Sequence, residues 1–220
     1  MNAYFISGLG ADRRAFDKIL LNESYTRYFL DWIEPLENET LNEYAERMAA
    51  TIDQSKPFVL IGLSFGGIVA IEIAKRYPAE KIFIISSVSN RSELPWYLKA
   101  MGKARIHHLG TVEKLKQDPN ILFWFFGVTS TRMKNYLTEM MHKTSSTYLR
   151  WSMDQIVNWS QEKKPVNLIH LHGDADKLFP IRFCKPDYMI AKGGHFMVIT
   201  HARQINEILL KELERMGYHS

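Results

Sequence analysis

The stretch I-G-L-S-F-G-G at residues 61–67 decides the fold that we predict for this chain. It is a G-x-S-x-G element placed between a short apolar run, Phe58–Ile61, and a helical pattern over Phe65–Tyr77. A serine at so tight a strand-to-helix turn has a strained backbone, and the glycines two positions to either side leave room because they lack Cβ. The pattern predicts a nucleophile elbow that exposes the hydroxyl of Ser64 above a sheet. The alternative is a glycine-rich loop in which Ser64 only caps the following helix.

Short apolar runs recur along the chain on both sides of this element. They are too brief for helices and too uniformly apolar for half-exposed strands, so we predict buried parallel strands. The predicted strands are Ala3–Ile6, Tyr28–Ile33, Phe58–Ile61, Ile82–Ile85, Leu168–Leu171 and Tyr188–Ala191. Helical patterns lie between them, at Arg13–Leu21, Leu41–Gln54, Phe65–Tyr77 and Thr200–Met216, and a capping box, Thr40–Glu43, begins the second. The alternation predicts an α/β fold with a doubly wound, mainly parallel sheet flanked by helices.

Length and composition favour one enzyme-sized unit. A chain of 220 residues can bury a substantial core, and its one cysteine, Cys184, excludes an internal disulfide framework and is expected to be a small buried hydrophobe. The net charge of +4 comes from scattered basic residues, which does not indicate a nucleic-acid partner. No secretion signal and no transmembrane-length run is visible, so we expect a cytoplasmic protein.

The alternation of strand and helix is interrupted over residues 89–164. This segment predicts a helical insertion into a core formed by residues 1–88 and 165–220. It carries twelve Lys and Arg against six Asp and Glu, a net +6. Solvated helix faces are the ordinary explanation, and the alternative is a basic lid that attracts an anionic or carrier-bound substrate. Apolar residues that pack the insertion or line a pocket are Trp96, Trp124, Trp151, Trp159, Phe123, Phe125, Phe126, Met101, Met133, Met140, Met141 and Met153.

Partners for Ser64 follow the last two predicted strands. A serine hydroxyl near its ordinary pKa is a poor nucleophile, so it needs an imidazole to take its proton and a carboxylate to orient the imidazole. Asp174 and Asp176 stand in the turn H-G-D-A-D, and His195 stands in the turn K-G-G-H-F. Taken singly, each of these residues is also a common turn former or helix-capping residue.

The order Ser, Asp, His, with each residue following a strand, resembles the α/β-hydrolase superfamily along essentially the whole chain. The resemblance implies that Ser64 is the nucleophile, His195 the base and Asp176 the acid, with Asp174 in reserve. It also implies that the helical insertion is a cap domain. The chain begins at the strand that bears the oxyanion loop in that family, so we expect six strands rather than eight.

The resemblance also implies an oxyanion hole. The segment S-G-L-G at residues 7–10 occupies the position of the family's H-G-x-G loop, with Ser7 where histidine is usual. Backbone N–H groups of Leu9 and Phe65 would hold the developing negative oxygen. In the same comparison Gly8, Gly62 and Gly66 are the glycines that support the loop and the elbow.

No cofactor or metal is predicted. His170 and His172 alternate on one strand, but no further His, Cys or carboxylate cluster completes a metal site, and His107-His108 is expected to face solvent. The loop at residues 8–10 lacks the Walker lysine and the third glycine of a dinucleotide fingerprint.

The predicted activity is hydrolysis of a carboxylic ester or related acyl bond of a small molecule through an acyl-enzyme. Members of the same superfamily also include lyases and carbon–carbon bond hydrolases, in which cap residues assist; Lys99, Lys103 and Arg150 are candidates here. A third alternative is a catalytically weak ligand-binding or receptor module.

Overall fold

The computed structural model describes residues 1–103 and 111–217, without the side chains of residues 101–103, 111, 114 and 115. A six-stranded parallel sheet forms the centre, in the order β2-β1-β3-β4-β5-β6. Its strands are β1 (Asn2–Ile6), β2 (Thr26–Leu30), β3 (Phe58–Leu63), β4 (Lys81–Ile85), β5 (Leu168–Gly173) and β6 (Tyr188–Ile190). The predicted doubly wound, six-stranded sheet is therefore confirmed.

Helices flank the sheet and fill the long connection between β4 and β5. The α-helices are α1 (Leu41–Ala49), α2 (Phe65–Arg76), α3 (Trp96–Lys103), α4 (Thr111–Gln117), α5 (Asn120–Phe126), α6 (Thr131–Lys143), α7 (Ser146–Asn158), α8 (Met197–Thr200) and α9 (Ala202–Glu214). Within the described ranges, none of these helices has the length and apolar character needed to cross a membrane.

The central strands are buried on both faces, which explains their uninterrupted apolar runs. Side chains of a strand alternate between faces, so Leu60 of β3 packs with α1 and α2 on one side. Its neighbour Ile61 packs with α9 on the other side. The edge strand β2 alternates exposed and half-buried residues up to Leu30, because only one of its edges pairs with another strand.

The strand order places a crevice between β1 and β3. The chain passes from β1 outward to β2 and then returns to the other side of β1 for β3. In open parallel sheets the loops after two such strands diverge, and ligands bind at the carboxyl ends there. The loop at residues 7–10 and the elbow at Ser64 follow these two strands and therefore meet.

Three of the predicted helices and one predicted strand are wrong in their extent, and Leu41–Gln54, which ends at Ala49, is one of these helices. Arg13–Leu21 forms only a 3₁₀ turn, Arg13–Phe16, because its apolar residues pack into the core without a continuing helix. Thr200–Met216 is broken at His201, whose backbone leaves the helical region between α8 and α9. The strand predicted over Tyr28–Ile33 ends at Leu30, where pairing with β1 stops.

Local signals set the start of α1 as predicted. Thr40 accepts a hydrogen bond from the Glu43 backbone N–H, and the Glu43 carboxylate accepts one from the Thr40 backbone N–H. This reciprocal capping box satisfies two N–H groups that a helix start leaves unpaired. The helix ends at Ala49, five residues before the predicted Gln54.

The described elements between β4 and β5 are helical and attach to the core through aromatic side chains. The Trp159 indole donates to the buried Glu72 carboxylate of α2 at 2.7 Å. The ring of Trp151 lies 4.3 Å, centroid to centroid, from that of Tyr44 in α1. His107-His108 of this connection lies outside the described residues, and so does the side chain of Met101.

Candidate active site

Ser64 adopts a left-handed backbone conformation at the junction of β3 and α2. Its φ is 53° and its ψ is −120°, a region that side-chain-bearing residues rarely adopt. Hydrogen bonds hold it there: the Ser64 N–H donates to the Ile85 carbonyl at 2.9 Å, and the Ser87 hydroxyl donates to the Ser64 carbonyl at 2.7 Å. The turn therefore presents a serine side chain at the carboxyl end of β3, the geometry of an elbow.

The two glycines around Ser64 are required by close backbone contacts. A Cβ on Gly62 would lie 2.4 Å from the Gly66 carbonyl oxygen. A Cβ on Gly66 would lie 2.2 Å from the Ile6 carbonyl oxygen at the end of β1. Both contacts are with backbone atoms that cannot rotate away, so any side chain would push α2 off the sheet.

Ser64, His195 and Asp176 form one hydrogen-bonded line. The Ser64 Oγ lies 2.9 Å from His195 Nε2, and His195 Nδ1 lies 2.8 Å from Asp176 Oδ2. An ionised carboxylate only accepts, so Nδ1 carries the proton and Nε2 is left to accept from the serine hydroxyl. All three side chains are buried beneath the surrounding helices.

The Asp176 carboxylate is fixed by the turn that follows it. Its Oδ1 accepts from the backbone N–H groups of Leu178 and Phe179 at 2.8 and 2.9 Å. Burial by itself raises the pKa of this carboxyl, but attraction and hydrogen bonding to His195, with smaller contributions from His172 and the backbone, leave the pKa below its usual value. Asp176 is therefore ionised and can orient the imidazole.

Asp174, the reserve candidate for the acid, lies elsewhere. It is exposed, and its Oδ1 accepts from the backbone N–H of Lys192 at 2.6 Å. This contact connects the turn that carries Asp174 and Asp176 to the turn that carries His195. A second tie is backbone packing: a Cβ on Gly173 would lie 2.0 Å from the Gly193 carbonyl oxygen. Sequence reasoning did not single out Gly173, although its place between the strand and the acid turn was a signal.

The loop at residues 7–10 reaches Ser64 as the resemblance implied. A Cβ on Gly8 would lie 3.2 Å from the Cβ of Ser64. The Ser7 hydroxyl donates to the Ala11 carbonyl at 2.8 Å, and the Trp32 indole donates to the carbonyls of Gly8 and Ala11, both at 3.2 Å. Trp32 was not predicted as a site residue; its position after β2, at the carboxyl edge of the sheet, was the available signal.

Some of the apolar residues of the insertion line a cavity, and others do not. A cavity of about 310 Å³ lies over Ser64 and His195, and Phe125, Phe126 and Met153 line it. None of the four predicted tryptophans of the insertion lines it. Phe126 stacks on the His195 ring with centroids 5.0 Å apart, a contact that only the three-dimensional arrangement reveals.

Behind Asp176 lies a buried pair of histidines. His172 Nε2 is 2.7 Å from the Phe179 carbonyl, so it must carry a proton and donate. Its Nδ1 then accepts from His170 Nε2 at 3.1 Å. His170 Nδ1 has no hydrogen-bond partner among the described residues and lies 3.7 Å from Glu93. Among the residues that the structure describes, no group of three His, Cys, Asp or Glu is arranged to hold a metal ion.

This pair predicts acid sensitivity of the fold. Burial, followed by repulsion from His172, lowers the pKa of His170 to about 3. When the pH is below about 6.5, the ordinary pKa of histidine, His170 is protonated in the unfolded chain but remains neutral in the folded chain. The free energy of unfolding therefore falls as the pH falls. The free energy of unfolding should drop by roughly 2 kcal/mol between pH 7.5 and pH 5 from this group alone.

Urea unfolding at pH 7.5 and pH 5.0 measures this loss. The variant His170→Leu lacks the titrating group and should lose roughly 2 kcal/mol less than the wild-type protein over the same interval. Equal losses in the two proteins would contradict the assignment of a neutral buried imidazole at position 170.

A sequence model of the alpha/beta hydrolase family matches residues 3–208. The chain belongs to the α/β-hydrolase family. The comparison with curated proteins gave no match.

Solved structures show the same fold in other α/β hydrolases. MenH from S. aureus superposes with a TM-score of 0.72 at 16% identity, covering 98% of this chain and 94% of that chain. A thermophilic esterase from Thermogutta terrifontis, with malate bound, gives 0.69 at 12% identity, covering 100% and 91%. An esterase from Exiguobacterium antarcticum gives 0.67 at 16% identity, covering 95% and 90%.

Proposed function

We propose that this α/β hydrolase is a serine hydrolase that cleaves a carboxylic ester or related acyl bond of a small substrate. The observation that carries the proposal is the hydrogen-bonded line from Ser64 through His195 to Asp176 at the floor of the cavity. Each of the three residues has the hydrogen-bond partner that nucleophilic acyl transfer needs.

The first half-reaction forms an acyl-enzyme. His195 Nε2 takes the proton of the Ser64 hydroxyl as the Ser64 Oγ bonds to the carbonyl carbon of the substrate. The tetrahedral intermediate collapses, its bond to the leaving oxygen breaks, and the proton on Nε2 passes to that oxygen. Asp176 stabilises the imidazolium that exists between the two proton transfers, without accepting a proton itself.

The second half-reaction releases the acid. Water replaces the alcohol, His195 removes its proton, and the hydroxide bonds to the acyl carbon. Collapse of the second tetrahedral intermediate breaks the bond to Ser64 Oγ, which recovers its proton from His195. The chain needs no cofactor in this scheme.

Backbone N–H groups of Leu9 and Phe65 hold the oxyanion in the proposed mechanism. Among the backbone hydrogen bonds outside helices and strands in the described ranges, neither group serves as a donor. The Trp32 indole fixes the loop that carries Leu9, which supports a preorganised pair of donors. Gly8 lets this loop approach Ser64 closely.

We further propose that residues 89–164 act as a cap on the core of residues 1–88 and 165–220. Side chains from α3, α5 and α7 line the cavity together with Ser64 and His195, which supports a cap over the nucleophile. Two of the three cap candidates for assisting residues lie away from the cavity. Arg150 pairs with Glu113, and neither Arg150 nor Lys99 lines the cavity. The side chain of Lys103 lies outside the described part.

The similar structures support an acyl hydrolase, since two of those named above are esterases. At identities of 12 to 16% these structures show a shared fold only. The substrate class is therefore proposed from the residues of the site. A small-molecule substrate and a cytoplasmic location remain parts of this proposal.

Turnover of three substrate classes tests the proposed function. We expect hydrolysis of p-nitrophenyl esters, with a burst of p-nitrophenol equal to the enzyme concentration when deacylation is slower than acylation. A cyanohydrin and a 1,3-diketone should be poor substrates. Faster turnover of either one would instead indicate a lyase or a carbon–carbon bond hydrolase. Failure of a fluorophosphonate to label Ser64, combined with no turnover, would indicate a ligand-binding module.

A further inference from the structure

The cavity above Ser64 is lined almost entirely by apolar side chains. Among the described lining residues only Ser64, Tyr97 and His195 carry a polar side-chain atom, and no Lys, Arg, Asp or Glu is present. Phe179 is fully buried at its wall, whereas Ile121 is 56% exposed at its edge. The cavity thus runs from an open edge on α5 to an apolar interior beside the nucleophile.

Several described basic side chains of the insertion make their contacts with residues that do not line this cavity. Lys116 donates to the Thr144 carbonyl at 2.6 Å, and Lys143 pairs with Glu139 at 2.7 Å. Arg91 donates to the Trp159 carbonyl. No basic side chain of residues 89–164 lines the cavity in the part of the chain that the structure describes, which leaves out the side chains of Lys103, Arg105 and Lys114.

Such a lining discriminates strongly between acyl groups. A carboxylate moved from water into apolar surroundings without a partner loses its hydration, so it is rejected. Transfer of a methylene group from water to the same surroundings is favourable, and each methylene group buried strengthens substrate binding by about fourfold. The volume of about 310 Å³ is near the lower end for small-molecule sites. At about 30 Å³ per water-sized unit it holds on the order of ten non-hydrogen atoms.

This inference rests on the proposed function: we propose that the site is specific for uncharged, apolar acyl groups of about six to eight carbons. The opposite expectation, an anionic or carrier-bound substrate attracted by a basic lid, would need a cation at the cavity, and the described lining has none.

The test uses p-nitrophenyl esters that differ only in the acyl group. For the wild-type enzyme, kcat/KM should rise by about fourfold per methylene from acetyl to hexanoyl or octanoyl and fall for dodecanoyl. At an equal length of six chain atoms, the mono-ester of adipic acid and the 4-(trimethylammonio)butanoyl ester should both be slower than hexanoyl by about a hundredfold or more. Equal or faster turnover of either charged ester, or no dependence on length, would overturn the inference.

A matched pair of variants on α5 separates the cavity from the surface around it. Ile121 lines the cavity, whereas Trp124, three residues later and 59% exposed, does not. Ile121→Lys should raise the adipoyl-to-hexanoyl ratio of kcat/KM by about tenfold, because the new ammonium can pair with the acyl carboxylate. Trp124→Lys adds the same charge to the same helix and should leave the ratio unchanged. Equal ratios in the two variants would contradict the assigned cavity.

The outcomes distinguish this inference from the proposed function. If no ester of the series, acetyl included, is hydrolysed at Ser64, the proposed function fails. If the acetyl ester is hydrolysed by Ser64 but charge and length have no effect, only the acyl specificity fails.

Discussion

Ser64→Ala is expected to lower kcat for a p-nitrophenyl ester by roughly 10⁴- to 10⁶-fold. The substitution removes the Oγ atom that lies 2.9 Å from His195 Nε2 and leaves the base without a proton to take. Residual turnover would come from the oxyanion donors and from binding alone. The comparison should be made with enzyme of verified purity, because a trace of wild-type protein would mask so large a loss.

The fold of this variant should remain intact. Alanine keeps the Cβ of serine, so the backbone strain at φ 53° is the same in both proteins. The backbone hydrogen bonds to Ile85 and Ser87 do not involve Oγ. The urea midpoint should therefore change little. Ser89→Ala is the matched control: Ser89 is a fully buried serine that does not line the cavity, and its loss should leave kcat within about threefold of wild type.

Asp176→Asn is expected to lower kcat by about 10⁴-fold. The Oδ1 position accepts two backbone N–H groups, so the amide oxygen of the introduced asparagine has to occupy it. The amide nitrogen then replaces Oδ2 and faces His195 Nδ1, where it can only donate. Nδ1 must lose its proton to accept, and the proton moves to Nε2. The imidazole then has no lone pair for the Ser64 hydroxyl.

Asp174→Asn is the matched control for this prediction. The exposed Asp174 accepts from the Lys192 N–H through Oδ1, and an asparagine amide oxygen can accept the same bond. Its kcat should stay within about threefold of wild type. A loss at position 174 larger than that at position 176 would reverse the assignment of the acid.

The fold was predictable because its strongest determinants are local. The central strands are buried on both faces and appear as apolar runs. The elbow needs two glycines at fixed spacing, because backbone atoms of β1 and α2 occupy the space of a side chain. Helix extents were less predictable. The apolar spacing after Arg13 resembles a helix, yet its residues pack into the core from a 3₁₀ turn and coil.

The sequence predicts which strands carry the residues of the candidate site, but it does not predict the contacts that fix their side chains. Order along the chain placed Ser64, Asp176 and His195 at the same edge of the sheet, since each follows a parallel strand. It did not show which aspartate faces the imidazole, because that depends on the backbone N–H groups of residues 178 and 179. The support of the loop by Trp32 and the absence of charge from the described cavity lining depend on tertiary packing, which spacing does not encode.

In the proposed mechanism Ser64 forms the covalent bond to the acyl group. The most direct measurement is acid quenching of wild-type enzyme during turnover of p-nitrophenyl hexanoate, followed by mass spectrometry of the intact protein and its peptides. A single hexanoyl group is expected on the peptide that contains Ser64, and none in Ser64→Ala. Steady hydrolysis by wild-type enzyme with the acyl group on another residue, or continued hydrolysis by Ser64→Ala at the wild-type rate, would contradict this mechanism.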